Sequence, residues 1–129
     1  MVSQHYQAAE AGARVLAQGG NAVDAAIAAG FALGAVEPWM SGLGGCGFMT
    51  VYLADTGKSY AVEFGVRASG TLNPDDYPLS SGFDSDLFAW PGVVDNRNVL
   101  GPHSVAVPGY VAGLALAADR FATLSWGEL

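Results

Sequence analysis

Cationic side chains are scarce in this sequence. Lys and Arg total 5 against 12 Asp and Glu, a formal net charge of −7. Arg14, Lys58, Arg67, Arg97 and Arg120 are scattered singly, whereas phosphate backbones and anionic surfaces are bound by clustered Lys and Arg. Nucleic acid is therefore not an expected partner, nor is an anionic membrane. Cysteine is almost absent: Cys46 stands alone, which excludes a disulfide framework within the chain and any cysteine-rich zinc module. Long hydrophobic runs are missing too. The longest uncharged apolar stretch, Ala25 to Val36, is 12 residues, and a bilayer span needs about 18 or more. The opening residues Met1 to Tyr6 lack the basic segment and apolar block of a secretory signal. None of these absences assigns a compartment, and the location stays open.

What is present favours a buried core. Hydrophobic residues make up 51% of the 129 and charged residues 13%, the reverse of a disordered chain. Gln7 to Gln18 reads as an amphipathic helix, with Gln7, Glu10, Arg14 and Gln18 on a polar stripe and Ala8, Ala9, Gly12, Ala13 and Leu16 on an apolar one. Glu10 and Arg14 have the spacing of a helical ion pair, and Gly19-Gly20 stops the helix. Asn21 is a helix cap with Asp24 three residues on. The helix it opens, Ala22 to Val36, is apolar all round and predicts burial on every side. Glu37-Pro38 ends it.

A glycine-rich turn, Ser41 to Gly47, leads into a strand over Phe48 to Ala54. Asp55-Thr56-Gly57-Lys58 turns the chain into a second strand, Ser59 to Phe64. The first strand is apolar on both faces and predicts cover on both. Val66 to Pro108 holds five of the six prolines and predicts little regular structure. Tyr77, Phe83, Leu87, Phe88 and Trp90 make it too apolar for a free linker. A third helix runs from Tyr110 to Phe121. Ser125-x-x-Glu128 is a capping box that opens a further helix, so the sequence reads as a piece of a longer chain. The fold class expected is α/β, with residues 1–129 one incomplete domain.

No catalytic group stands out. Gly42-x-Gly44-x-x-Gly47 fits the dinucleotide fingerprint literally, but a helix precedes it and a strand follows, the reverse of what phosphate binding needs. Cys46 has no Lys, Arg or His within ten residues and reads as a small buried thiol. His5 and His103 are isolated, and Asp75, Asp76, Asp84 and Asp86 lack the calcium-loop spacing. No metal or cofactor is expected. Ser41 sits outside a nucleophile-elbow motif.

The order of segments carries more. Ala9-Glu10-Ala11-Gly12, then Gly19 to Ala26, then Val36-Glu37-Pro38, then Ser41 to Met49 resembles the N-terminal part of the gamma-glutamyltranspeptidase family. Pro108 to Leu114 and Thr123-Leu124-Ser125-Trp126 match later segments in order, so the resemblance spans essentially the whole chain. It implies a piece of a four-layer αββα N-terminal-nucleophile hydrolase fold and, for the intact parent, a precursor that cuts itself into two subunits. It further implies a Thr at the new N-terminus that attacks a gamma-glutamyl or related amide, with the rest of the large subunit and the small subunit as partners. That Thr motif is absent here. The family's Arg after the second strand, which pairs with the substrate α-carboxylate, falls by ungapped matching on Gly65. Arg67, two residues on, is the candidate substrate-binding residue, with a plain surface Arg as the alternative. Gly65 puts glutathione in question as the substrate. A noncatalytic binding module that keeps the fold is the rival reading.

Overall fold

The computed structural model describes residues 1–84 and 88–129. Asp86 and Leu87, named above, lie outside the described residues. The chain forms two compact units, Met1–Val66 with Pro108–Leu129, and Arg67–Val107.

The first unit holds helices α1 (Tyr6–Ala17), α2 (Ala22–Val36) and α3 (Tyr110–Phe121), with strands β1 (Gly47–Leu53) and β2 (Lys58–Phe64). The strands pair antiparallel from Gly47 opposite Phe64 to Leu53 opposite Lys58. Gly57, at φ 66°, supplies the left-handed residue their tight turn needs. These elements match the expected ones to within a residue or two.

Three details differ. In α1 the buried residues are Ala8, Gly12 and Val15, spaced i, i+4, i+7, so Val15 and not Leu16 faces inward. Glu10 and Arg14 form no ion pair among the described residues. The third difference concerns cover. Val51, Val62 and Phe64 join Val23, Ile27, Leu114 and Ala117 in the core, but the opposite face of the strand pair is bare. Phe48 is 75% and Tyr52 65% exposed. Only one face of the hairpin is covered within these residues.

Two glycines let α3 lie directly on β2. A Cβ on Gly109 would stand 2.6 Å from the Phe64 carbonyl oxygen, and one on Gly113 would collide with the Phe64 side chain. Glycine is required here for close approach.

The expected α2 cap is present and does more than start a helix. Asn21 Oδ1 accepts from the N–H groups of Val23 (2.8 Å) and Asp24 (3.0 Å), and Asp24 Oδ2 accepts from Asn21 N–H (2.7 Å). The same carboxylate, fully buried, also accepts from Thr123 Oγ1 (2.5 Å) and from the N–H groups of Thr123 and Leu124 (3.1 and 3.2 Å). Asn21 Nδ2 donates to the Phe121 carbonyl at 2.7 Å. The start of α2 is thus tied to the end of α3. At the capping box Ser125 donates through Oγ and N–H to Glu128 Oε2 at 2.6 and 2.9 Å. The helix expected there is one 3-10 turn, Trp126–Glu128.

The second unit has more order than its sequence predicts. Strands β3 (Leu79–Phe83) and β4 (Pro91–Val93) pair antiparallel, with Leu79 opposite Val93 and Phe83 opposite Pro91. Three single 3-10 turns accompany them, at Pro74–Asp76, Val94–Asn96 and Pro102–Ser104. The hairpin is hidden in the sequence because it is short, irregular in register and built on Ser, Gly and Pro. Gly82 takes φ 110°, and Asp95 and Asn96 adopt φ 60° and 52°.

Burial pushes the Asp24 carboxyl up, but the hydrogen bonds from Thr123, Asn21 and Leu124 outweigh it and hold the group below the ordinary carboxylate value. A carboxyl lowered on folding adds stability that is complete above its unfolded value and is lost as pH falls through the folded one. Asp24→Ala should therefore cost about 2–4 kcal/mol at neutral pH, since several part-buried donors lose their acceptor. Urea melts of the longer parent protein and of its Asp24→Asn variant should converge as pH falls below about 4. A constant gap between them down to pH 2 would refute this account.

The bare hairpin face gives a second expectation. Isolated, the 129-residue chain should bind ANS or self-associate. A sharp cooperative melt and dispersed amide spectra from a monomer would contradict it.

Candidate functional site

Gly65, at the position where the resemblance implies an Arg, follows β2 directly. A Cβ there would meet nothing within 4 Å. The place is sterically open and carries no side chain. Arg67 belongs to the second unit. Its N–H donates to the Val107 carbonyl at 3.0 Å and its carbonyl accepts from Val107 N–H at 2.8 Å. This bridge fixes the backbone of Arg67 and leaves its side chain exposed. The one ion pair among the described residues joins Arg97 Nε to Asp95 Oδ2 at 3.9 Å, so the Arg67 guanidinium is not committed to a carboxylate here.

The loop of residues 41–47 is a structural joint. Gly45 N–H donates to Gly42 O at 3.1 Å, and Gly45 O accepts from the N–H groups of Gly109 (3.2 Å) and Tyr110 (3.1 Å). Those donors open α3, the kind of helix end that attracts an anion. A backbone carbonyl already occupies them. The reversed order of the glycine motif and its poor fit to a phosphate thus have one cause: the loop feeds a helix start elsewhere in the chain. Tyr110 packs edge-on against Phe31 and Phe64 at 6.3 and 6.0 Å between ring centres. Burial there pushes its hydroxyl pKa up.

Cys46 is exposed, which corrects the expected buried thiol. The lack of a nearby cation or base suggested an inert buried thiol, but Cys46 lies exposed in the glycine-rich loop. The histidines are structural. His5 Nδ1 accepts from Gln7 N–H at 3.2 Å and caps α1. In the second unit the His103 carbonyl accepts from Tyr77 Oη at 2.7 Å, and the two rings meet edge-on at 6.0 Å. Among the described residues no three His, Cys, Asp or Glu side chains converge as metal ligands. No helix among them is long and apolar enough to cross a membrane.

Of two open clefts in the first unit, one of about 370 Å³ is lined by Ala115, Ala118, Asp119, Leu124, Ser125 and Trp126, and the other, of about 420 Å³, lies between the first turns of α2 and strand β1, lined by Asn21, Ala22, Val23, Ala26 and residues 49–55. Its walls are mostly apolar, and its carboxylate, Asp55, stands at the hairpin turn. A third, of about 270 Å³, lies in the other unit beside Ser69, Thr71, Asp76, Tyr77 and His103. Neither of the last two holds a nucleophile next to a base.

Sequence reasoning missed Glu37. It served there only as a helix stop, yet its side chain is 8% exposed and its Oε2 has no hydrogen-bond partner. The available signal was an acid at the end of an apolar helix with no basic residue in the last turn.

Comparison with known proteins agrees with the segment order. The sequence profile of the gamma-glutamyltranspeptidase family matches residues 8–129. The chain is 37% identical over its full length to a glutathione hydrolase proenzyme of Bacillus subtilis, and 38% to an acylase ACY 1 proenzyme of a Pseudomonas species. It spans about a fifth of each, 21% and 22% of their lengths. Among solved structures, the gamma-glutamyltranspeptidase of Pseudomonas nitroreducens complexed with L-DON superposes with a TM-score of 0.82 at 33% identity, over 99% of this chain and 35% of that one. The Helicobacter pylori enzyme also gives 0.82, over 98% and 34%. The α/β class expected from the sequence, part of an N-terminal-nucleophile hydrolase fold, is the one observed. From residue 8 to residue 129, this chain belongs to the gamma-glutamyltranspeptidase family.

Proposed function

We propose that these residues are the N-terminal part of the large subunit of an autoprocessing amidohydrolase or acyltransferase. It acts on gamma-glutamyl or closely related acyl amides and needs no metal or cofactor. The observation that carries this reading is the match to the family profile over residues 8–129, with relatives named as proenzymes. In such an enzyme the Thr freed at the processing junction attacks the amide carbonyl. Its own α-amine takes the hydroxyl proton, directly or through water, and the acyl group is then passed to water or an amine.

These residues would supply scaffold to that reaction, not its nucleophile. Each of the four threonines is otherwise placed. Thr123 Oγ1 donates to Asp24 (2.5 Å), Thr71 Oγ1 pairs with Ser69 Oγ (2.9 Å), and Thr56 lies at the hairpin turn. Thr50 sits on the exposed face of β1. Purified chain incubated with gamma-glutamyl-p-nitroanilide should release no p-nitroaniline above the buffer blank. The parent should lose activity when the Thr at its processing junction is replaced. A parent without such a Thr would instead support the noncatalytic module.

A second reading concerns the substrate. Gly65 offers no cation, and one relative at 38% identity is named an acylase. The missing cation at Gly65 favours an acyl group that lacks an α-carboxylate, unless Arg67 supplies the charge, and the acylase shows that a relative bears another name than glutathione hydrolase. Kinetics on the parent separate these cases. If Arg67 holds the carboxylate, Arg67→Ala should raise KM and cost about 2–5 kcal/mol in kcat/KM for a carboxylate-bearing substrate. An analogue without the carboxylate should be nearly unaffected. Arg67→Lys should restore only part, since a point charge does not reproduce the two-pronged contact. Equal kinetics on both substrates would remove Arg67 from the site.

A further inference from the structure

Glu37 is a buried acid without a partner. Its N–H donates to Leu33 O at 2.9 Å, and its carbonyl accepts from the N–H groups of Met40 and Ser41 at 3.0 Å each. The backbone is therefore fully used, while Oε2 of the 8% exposed side chain has no hydrogen bond. The position makes this worse. Glu37 caps the C-terminal end of α2, where the helix dipole is negative and opposes an anion. No basic residue lies in the last turn of α2, and Glu37 is in no ion pair among the described residues. An unpaired buried carboxylate is costly. Beside it Trp39 (73%), Met40 (70%) and Leu43 (60%) stand exposed. Exposed large apolar side chains that follow a buried acid in the chain are the makings of an interface centre.

We propose that Glu37 is the anchor for an Arg or Lys side chain carried by another segment of the same parent protein, which lies over Trp39, Met40 and Leu43. The inference rests on the reading above that these residues are part of a longer chain, since they span 21% of a full-length relative. Charge complementarity selects the occupant. The 129 residues carry a net charge of −7, and among the described residues no cation pairs with Glu37. The chain's own atoms close Oε2 off from water.

The test uses the full-length parent, with thermal unfolding and amide hydrogen exchange over residues 38–48 as readouts. Two near-isosteric replacements, Glu37→Gln and Glu37→Met, give opposite signs under the two alternatives. If a cation is paired with Glu37, both strand it. The apparent midpoint should then fall by about 2 °C or more, and exchange over the loop should quicken about tenfold or more. If Glu37 is unpaired in the parent, Glu37→Met removes a desolvated charge, and the midpoint should hold or rise. That result overturns the proposal. So does a fall with Met but not with Gln, which would mean a neutral donor such as water or an amide. Neither readout depends on turnover, so the proposed activity and this contact can fail separately. Absence of p-nitroaniline release by the parent tells against the former alone.

Discussion

One carboxylate holds the first unit together. Asp24 is fully buried and accepts from Asn21, Thr123 and Leu124, residues about 100 positions apart. Without that contact the directional tie between α2 and α3 would be reduced to the single Asn21 Nδ2 bond to the Phe121 carbonyl, beside apolar packing, which is non-directional. With it, the start of one helix is fixed in register against the end of the other. The core residues Val23, Ile27, Leu114 and Ala117 can then interlock in one arrangement. The same contact explains why Gly19 to Ala26 and Thr123 to Trp126, far apart in sequence, read as parts of one signature.

Glycine does the complementary work on the other side of α3. Gly109 and Gly113 let Phe64 reach the helix backbone, and Gly45 lends its carbonyl to the first N–H groups of that helix. The strand pair and the loop before it are therefore positioned by what they lack in side chains. Close contact of this kind fixes the end of β2, beside Gly65, against the start of α3.

The helices were legible because their signals are local. Asn21 with Asp24 starts α2, Pro38 follows its end, and Gly19-Gly20 separates it from α1. The strands were legible from their β-branched and aromatic residues and from the Asp55 to Lys58 turn. What escaped depends on distant contacts. Nothing near Leu16 says that Val15 is the buried neighbour. Nothing near Cys46 says that it lies exposed. The hairpin of Leu79–Phe83 and Pro91–Val93 has no alternation to reveal it. Arg67 was identifiable only by resemblance, since a lone Arg beside a strand end carries no chemistry of its own. Glu37 was hidden because a helix stop and a buried acid share one letter.

The exposure of Cys46 makes it a reporter. The thiol follows Gly45, whose carbonyl sits on the first N–H groups of α3, and precedes Gly47, the first residue of β1. An environment-sensitive label attached there would sit one residue from the carbonyl that joins the loop to α3. The protein carries this attachment point naturally, with no second thiol among the 129 residues to confuse the signal.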